Sequence, residues 1–296
     1  MTKIAIASGK GGTGKTTLAV NLAALFREQG RRVVFADCDV EEPNAHLFLD
    51  VTWSQEQPAT LFTPHIDENT CLGEECGECV RLCAFKALIL MAGEVMVFPE
   101  LCHGCTLCVK ACPHDAVSEA GRELGIVRRG AASNMDMLGG LMRVGEAMAT
   151  PLIRAVKDAA EATAAGGSTD PITIWDCPPG TACPVIEALS DADYVLLACE
   201  PTPFGLHDLK LAVGLVRELG LPHGAVINRD GMGDDRVKQY LTEENIPLLA
   251  AIPHSLEAAR ACSEGKLLME VSDELRGVFS ELAHALIGEA GKEASS

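Results

Sequence analysis

The chain has 296 residues, of which 48% are hydrophobic, and a formal net charge of −18, so it can bury one large core or two modest ones. Because the negative charge would repel a phosphate backbone and no basic patch offsets it, we expect no nucleic-acid partner. No apolar run approaches the roughly 20 residues that span a bilayer, and the N-terminal run is too short for a signal peptide, so we predict a cytoplasmic protein.

The N-terminal residues predict a β-α-β unit. Two short apolar runs rich in β-branched residues, at 3–7 and 32–37, have the composition of buried strands. Between them, residues 15–29 have the spacing of apolar side chains that is typical of a helix. This alternation indicates a parallel sheet.

A glycine-rich loop, "GKGGTGKT", joins the first strand to this helix and fits the P-loop pattern G-x-x-x-x-G-K-[ST]. Glycines allow backbone N–H groups to approach phosphate oxygens, which a Cβ would obstruct. Lys15 is predicted to reach the β- and γ-phosphates, the Thr16 hydroxyl to bind Mg²⁺, and Thr17 to assist at the α-phosphate. The predicted phosphate site for ATP or ADP consists of Gly9, Lys10, Gly11, Gly12, Thr13, Gly14, Lys15, Thr16 and Thr17.

The composition of the sequence changes between residues 66 and 120, where many cysteines and glycines and short predicted strands replace long predicted helices. Residues 87–98 predict a small hairpin that turns at Gly93. Because the α/β pattern resumes afterwards, we predict an inserted domain at 66–120 within a discontinuous domain formed by 1–65 and 121–296.

Two cysteine runs lie in this insertion. The second, "CHGCTLCVKACP", is the bacterial ferredoxin pattern C-x2-C-x2-C-x3-C-P. The first reads C-x4-C-x2-C-x3-C-A, so it has two extra residues in the first gap and lacks the proline. Paired runs of this type hold two [4Fe–4S] clusters, and the fourth cysteine of each run serves the other cluster. The predicted ligands are Cys71, Cys76, Cys79 and Cys112 for the first cluster, and Cys83, Cys102, Cys105 and Cys108 for the second.

Two alternatives remain for this cysteine block. Thiolates also bind zinc, although zinc sites commonly use C-x2-C pairs separated by longer gaps. The long gap after Cys71 is also compatible with a first site that lacks this ligand and holds three irons.

The C-terminal half returns to the α/β pattern. Buried strands are predicted at 171–176, 194–199, 223–228 and 248–253, with helices between them. The small-residue stretch 161–171 predicts a loop.

Two further segments invite a choice between core and surface roles. The methionine-rich segment 134–148 is interpreted as core, the alternative being a mobile partner-facing loop. The last helical pattern places Leu275, Phe279, Leu282 and Leu286 on one face. Since its polar face is acidic, we predict that it covers the core and does not bind a membrane.

Several stretches together resemble one family over nearly the whole chain. The lysine after the first glycine of the loop, "DCD" at 37–39, "WDCPPGTACPVIEAL" from 175 and "EPTPFGLHDLK" from 200 resemble the MinD/ParA superfamily of Mrp-like P-loop ATPases that contain an inserted ferredoxin domain. The resemblance implies a doubly wound, mostly parallel sheet with a deviant Walker A loop, interrupted by a small α+β domain with two [4Fe–4S] clusters.

The resemblance also implies roles for individual residues. Lys10 would cross a dimer interface to the partner's nucleotide, and Asp39 would activate the attacking water, so that Lys10, Lys15 and Asp39 form the catalytic set. Asp176 would hold Mg²⁺ through water, with Asp37 as an indirect contact, and the Gly180 N–H would sense the γ-phosphate.

The same resemblance suggests the adenine pocket and the partners. Asn228 would read the base, with Asp230 and Pro253 lining the pocket. The implied assembly is a homodimer, or a heterodimer with a paralogous ATPase, that acts on a redox or metallocluster acceptor protein.

Three functions follow from these predictions. The first is an ATPase, slow without its partner, in which nucleotide-dependent dimerisation gates electron transfer from two [4Fe–4S] clusters. The second is an Mrp-like ATPase that assembles or carries metalloclusters. The third is a non-enzymatic positioning switch of the ParA or MinD kind.

Overall fold

The computed structural model describes residues 2–167 and 169–293 and begins with the predicted β-α-β unit. Strand β1 covers Thr2–Ala7, helix α1 covers Lys15–Glu28 and strand β2 covers Val33–Asp37. All five residues of β2 are buried, as a parallel strand covered on both faces should be.

The chain then forms an edge strand, a segment of short elements and two strands that return to the main sheet. These elements are β3 (Thr52–Leu61), β4 (Pro64–Ile66), α2 (Glu78–Leu82), β5 (Leu88–Met91), β6 (Glu94–Val97), α3 (Leu107–Ala111), β7 (Val117–Glu119), β8 (Arg122–Ala132) and β9 (Met135–Met142).

The second half alternates helices with strands. Its elements are α4 (Ala149–Ala165), β10 (Ile172–Asp176), α5 (Cys183–Leu189), β11 (Tyr194–Cys199), α6 (Pro203–Glu218), β12 (His223–Asp230), α7 (Arg236–Glu243), β13 (Leu248–Pro253), α8 (Leu256–Ser263) and α9 (Asp273–Glu293). Short 3₁₀ helices lie at Ala45–Leu47, Gly73–Glu75, Pro99–Leu101 and Leu268–Glu270.

One large sheet organises the molecule, with the strand order β13-β12-β11-β1-β10-β2-β9-β8-β3. The strands from β13 to β9 are parallel, whereas β8 and β3 add an antiparallel edge. From β1 the chain proceeds to strands on both sides. The loops after β1, β10 and β2 therefore meet at the carboxyl ends of the strands, where ligands bind in open α/β sheets.

Helices cover the two faces of this sheet and enclose separate apolar layers. One layer packs α1 and α9 on the sheet, and the other packs α4, α5 and α6. Leu275, Phe279, Leu282 and Leu286 of α9 are at most 3% exposed, which confirms the prediction of a core-covering helix. No helix in the described residues is long and apolar enough to cross a membrane.

The antiparallel edge is the main difference from the sequence prediction. Strand β3 is largely exposed and polar, and it contains Pro58, so it lacks the apolar pattern that identifies buried strands; such features are typical of edge strands. Met135 and Met137 of β9 are each 1% exposed, which confirms the core interpretation for the first half of the methionine-rich segment, whereas Val144 in its second half is 97% exposed. The predicted loop 161–171 is wrong at its start, since α4 continues to Ala165.

Residues 62–121, called the cysteine-rich segment below, lie between β3 and β8 and contribute no strand to the main sheet. They form two small antiparallel pairs, β4–β7 and β5–β6. The hairpin predicted to turn at Gly93 is present, with a φ of +86° at this residue. A small apolar cluster of its own, built around Ile66, Cys79, Leu88 and Val117, holds the segment together.

Candidate functional site

A cavity of about 490 Å³ opens at the carboxyl ends of the central strands, within the size range of small-molecule sites. It brings together many of the residues that the sequence predicted from distant positions. The predicted residues that line it are Gly11, Gly12, Gly14, Lys15, Thr16, Thr17, Asp39, Asn228 and Pro253.

The glycine loop has the backbone shape that a phosphate site requires. Gly12 and Gly14 have φ values of +81° and +92°, a region that side chains with a Cβ rarely adopt. A Cβ on Gly14 would also stand 2.3 Å from the Asn228 amide nitrogen. Because α1 begins at Lys15, the partial positive charge of its N-terminus faces the cavity and favours an anion there.

Buried charges face one another beneath this loop. The Lys15 side chain is buried, and it makes no ion pair with a carboxylate among the residues that the structure describes. The Thr16 hydroxyl donates a hydrogen bond to Oδ2 of Asp176 at 2.5 Å, and Oδ1 of Asp176 is buried with no hydrogen-bond partner in the described residues. Burial raises the pKa of Asp176 to about 6, against the lowering effect of Lys15.

This arrangement fits a hydrated Mg²⁺ and a phosphate. The unpartnered carboxylate oxygen of Asp176 and the hydroxyl of Thr16 are the hard oxygen donors that Mg²⁺ prefers. A buried ammonium group such as that of Lys15 is costly unless an anion accompanies it, and a phosphate would supply that anion.

The two aspartates of "DCD" differ in position. Asp39 lines the cavity, and burial raises the pKa of its carboxyl while Lys15 lowers it. The Asp37 carboxylate instead accepts hydrogen bonds from the backbone N–H groups of Asp39, Asn44 and Ala45. Asp37 therefore fixes the loop that carries Asp39, and its predicted indirect contact with magnesium stays a prediction.

Lys10 points away from the cavity of its own chain. Its ammonium group lies 3.9 Å from Glu200 and 4.0 Å from Asp208, and it remains partly exposed. Gly9 permits this approach to α6, because a Cβ there would stand 2.2 Å from the Asp208 carbonyl oxygen. Glu200 also binds Arg229 at 2.6 Å, and Arg229 lines the cavity.

Three of the remaining predicted residues are engaged elsewhere in this conformation. The Asn228 amide donates to the Thr13 carbonyl at 2.8 Å, so it holds the glycine loop from the cavity wall. Asp230 forms an ion pair with Lys238 at 3.0 Å and lies outside the cavity lining. The Gly180 N–H donates to the Ser8 carbonyl at 2.9 Å. Their assigned roles stay predictions.

Several cavity residues escaped the sequence interpretation. Phe48, Arg229, Met232, His254 and Ser255 also line the cavity. Arg229 lies in β12 directly after the predicted Asn228. The other four lie in loops or at helix ends that no motif marks, and a single sequence contains no signal for them. Ser255 caps α8 by accepting a hydrogen bond from the Ala258 N–H, which places the start of that helix at the cavity.

The eight clustered cysteines surround two adjacent small cavities in the cysteine-rich segment. The first cavity is lined by Cys71, Cys76, Cys79 and Cys112. The second is lined by Cys83, Cys102, Cys105 and Cys108, together with Cys79. The two groups match the two predicted ligand sets, each completed by the last cysteine of the other run.

The surroundings of these sulfur atoms fit thiolate ligands. Backbone N–H groups of Gly73, Gly104 and Ala116 donate to the sulfur atoms of Cys71, Cys102 and Cys112 at 3.3–3.4 Å, and such bonds stabilise negative charge on sulfur. Within residues 2–167 and 169–293, no three His, Cys, Asp or Glu side chains are grouped closely enough to hold a single metal ion; the cysteines surround a space instead.

A direct contact joins the main sheet to the second cysteine cavity. Strand β3 ends at Leu61, whose side chain packs so closely on Gly104 that a Cβ there would stand 2.6 Å from it. The next residue, Phe62, accepts a weak hydrogen bond from the Cys102 thiol at 3.6 Å. The strand that follows the Asp39 loop therefore ends against this cysteine site.

Comparisons with known proteins agree with the fold. The sequence model for the CobQ/CobB/MinD/ParA nucleotide binding domain matches residues 4–268. The septum site-determining protein MinD from Pyrococcus horikoshii, solved with Mg-ADP, superposes with a TM-score of 0.58 at 20% identity, covering 99% of this chain and 98% of its own.

Relatives in sequence include two uncharacterized proteins of Methanocaldococcus jannaschii. One is 28% identical over 96% of this chain and 97% of its own length, and the other is 32% identical over 78% and 79%. An iron-sulfur cluster carrier protein of Pyrococcus horikoshii is 23% identical over 98% of this chain and 90% of its own.

Proposed function

Because the chain belongs to the CobQ/CobB/MinD/ParA nucleotide-binding family, we propose that it is an ATP-hydrolysing iron–sulfur protein whose nucleotide state gates electron transfer to a partner. One observation carries the proposal: the chain combines a P-loop cavity with two cysteine-lined cavities that share Cys79. The cysteine-rich segment is then a ferredoxin-type domain with two [4Fe–4S] clusters, which supply one-electron redox chemistry when bound.

Nucleotide binding would use the residues in the P-loop cavity. Lys15 and the N–H groups of the glycine loop bind the phosphates, while Thr16 and Asp176 hold Mg²⁺. Asp39 stands in the lining, where its carboxylate can orient the attacking water. Lys10 does not supply a cation to the cavity of its own chain, because its ammonium group faces Glu200 and Asp208. We therefore expect ATP hydrolysis to be slow until Lys10 of a second subunit completes the site.

In this proposal, nucleotide-dependent dimerisation controls the electron transfer. A ligand that binds the dimer more tightly than the monomer shifts the population toward the dimer by its difference in affinity. The two related proteins in Methanocaldococcus jannaschii make a heterodimer of paralogues as reasonable as a homodimer.

The second candidate is a metallocluster carrier. The relative named as an iron-sulfur cluster carrier protein favours it, although at 23% identity. The packing favours electron transfer, because Cys79 and Cys102 are buried and N–H groups donate to three of the sulfur atoms. Ligands held in this way suit resident clusters rather than cargo.

Anaerobic purification with iron counting tests the proposal. We expect about eight irons per chain, an EPR signal after reduction, and retention of both during ATP turnover. Lys15→Ala should abolish ATP turnover and leave the iron content unchanged. Loss of iron to an apo-acceptor in step with ATP hydrolysis would instead establish the carrier, and a colourless anaerobic preparation would reject both.

A further inference from the structure

The two cysteine cavities occupy equivalent places in the cysteine-rich segment but have different walls. Glu78 and Leu107 are the first residues of α2 and α3, and each precedes the third cysteine of its run. Glu78 lines the first cavity and Leu107 lines the second. At equivalent positions, the first cavity therefore has a carboxylate and the second has a nonpolar side chain.

The charges near the two cavities extend this difference. Beside the first cavity, Glu74 and Glu75 are exposed, and Glu78 is paired with Arg81. The lining of the second cavity contains no carboxylate and no amine. Lys86, between the lining residues Phe85 and Ala87, is exposed and makes no ion pair within the part of the chain that the structure describes. Positive or neutral surroundings favour the reduced state of a cluster, and carboxylates disfavour it.

Hydrogen bonds to sulfur act in the opposite direction, because they favour the reduced state of the first site. The first site receives two N–H···S bonds, from Gly73 and Ala116, and the second receives one, from Gly104. One additional neutral dipole is a smaller electrostatic effect than the full charges of Glu74 and Glu75, which make no ion pair in the described residues, whereas Arg81 offsets Glu78. Electrons should therefore collect at the second site.

Exposure also distinguishes the second site. Cys105 is exposed, whereas the other seven cysteines of the segment are buried or intermediate. Around it stand the stacked rings of Phe85 and His103, whose centroids are 3.7 Å apart, and the exposed Leu107. Nonpolar side chains exposed together beside a reactive group indicate an interaction surface.

From these observations we propose that electrons leave the protein at the second site, through Cys105, to an acceptor protein with a nonpolar contact surface bordered by negative charge. The nonpolar contact is Phe85 and Leu107, the imidazole of His103 stacks on Phe85, and Lys86 provides the complementary positive charge. The step is a one-electron transfer in which the protein loses an electron, the acceptor gains it, and no bond or proton changes place. The inference rests on the proposed function, since it needs both clusters.

Stopped-flow oxidation of the full-length protein, after anaerobic reduction with dithionite, tests whether electrons leave at the second site. Ferricyanide is an anionic acceptor and hexaammineruthenium(III) is a cationic one. A charge introduced near Cys105 should therefore change the rates of electron transfer to these two acceptors in opposite directions. We expect Leu107→Glu to slow ferricyanide about threefold or more and to accelerate hexaammineruthenium(III) by a similar factor, with Lys86→Ala acting in the same direction.

The control places the same charge outside the cysteine-rich segment. Leu211→Glu, at an exposed position of α6, should leave both rates nearly unchanged. If Leu211→Glu moves the rates as far as Leu107→Glu does, or if Leu107→Glu leaves them unchanged, electrons do not leave at the second site and the inference is wrong. Iron content and the EPR signal of every variant report cluster binding, so their absence in the parent protein would reject the proposed function instead.

Discussion

Asp176 is a residue whose burial has consequences for pH dependence. Its pKa is raised from 3.8 to about 6, chiefly by burial, so the folded, ligand-free protein binds a proton more tightly there than the unfolded chain does. Its contribution to the free energy of unfolding therefore falls as the pH rises from about 4 to about 6, and it stays constant above that range.

Mg²⁺ requires the ionised form of Asp176. We predict that Mg²⁺-dependent tightening of ATP binding weakens as the pH falls below about 6, approaching tenfold per pH unit. Titrations with fluorescent ATP between pH 5 and 7.5, with and without Mg²⁺, measure this effect. Asp176→Asn should bind ATP with no such Mg²⁺ dependence, and an unchanged Mg²⁺ effect at pH 5 in the parent protein would contradict the assignment.

Substitutions of the two lysines of the glycine loop should have different effects. Lys15 is buried in the cavity lining, whereas Lys10 contacts Glu200 and Asp208. We expect Lys10→Ala to bind ATP within about threefold of the parent protein while ATP-dependent dimerisation is lost, and Lys15→Ala to lose binding by at least about tenfold. Equilibrium binding and light scattering measure the two properties, and a loss of ATP affinity in Lys10→Ala would place that lysine in its own site.

Helix α9 is the element that closes one apolar layer, and Phe279 is its largest fully buried side chain. Replacing it by alanine removes apolar contacts and leaves a cavity, so Phe279→Ala should lower the free energy of unfolding by roughly 3–5 kcal/mol. Urea unfolding followed by circular dichroism provides the measurement. Leu256→Ala, at a position that is 81% exposed, should change the same quantity by less than about 0.5 kcal/mol.

An ion-pair group fastens the cysteine-rich segment to the main sheet. Glu100, two residues before Cys102, contacts Arg122 at 2.6 Å and Arg143 at 3.3 Å, and the buried Glu146 holds Arg122 at 3.0 Å. The arginines keep the pKa of Glu100 below its usual value. This group provides a second contact, besides that of Leu61 with Gly104, between the main sheet and a cysteine site.

Glu100→Gln should loosen this attachment without disturbing either site. We expect faster hydrogen exchange across residues 99–105 and unchanged ATP affinity, because no residue of the P-loop cavity contacts Glu100. Exchange followed by mass spectrometry is the measurement. Glu94→Gln, at an exposed position of β6, is the matched control, and equal exchange in the two variants would show that the ion pairs do not hold the segment.

Six of the seven parallel strands, together with α1 and α9, could be predicted because burial leaves an apolar pattern, as in "YVLLAC" at 194–199, which matches β11 in both bounds. Strands β3, β8 and β9 could not: β3 is largely exposed, Arg128 and Arg129 interrupt the partly buried β8, and Gly139 and Gly140 interrupt β9. The same contrast holds at the candidate site. Glycine spacing marks Gly14 and Lys15, whereas Phe48 and His254 lie in segments that no motif marks and reach the cavity through the packing of the folded chain.

At the scale of the whole molecule, the positions where the cysteine-rich segment departs and returns are neighbours. Leu61 at the end of β3 is paired with Arg122 at the start of β8 in antiparallel register. The main sheet therefore closes across the base of the segment, and we predict that the segment can be removed: a short glycine-containing turn joining residues 61 and 122 would complete an ordinary hairpin. Such a deletion should yield a colourless protein that still binds ATP, and its failure to fold would reveal that the segment is part of the ATPase core.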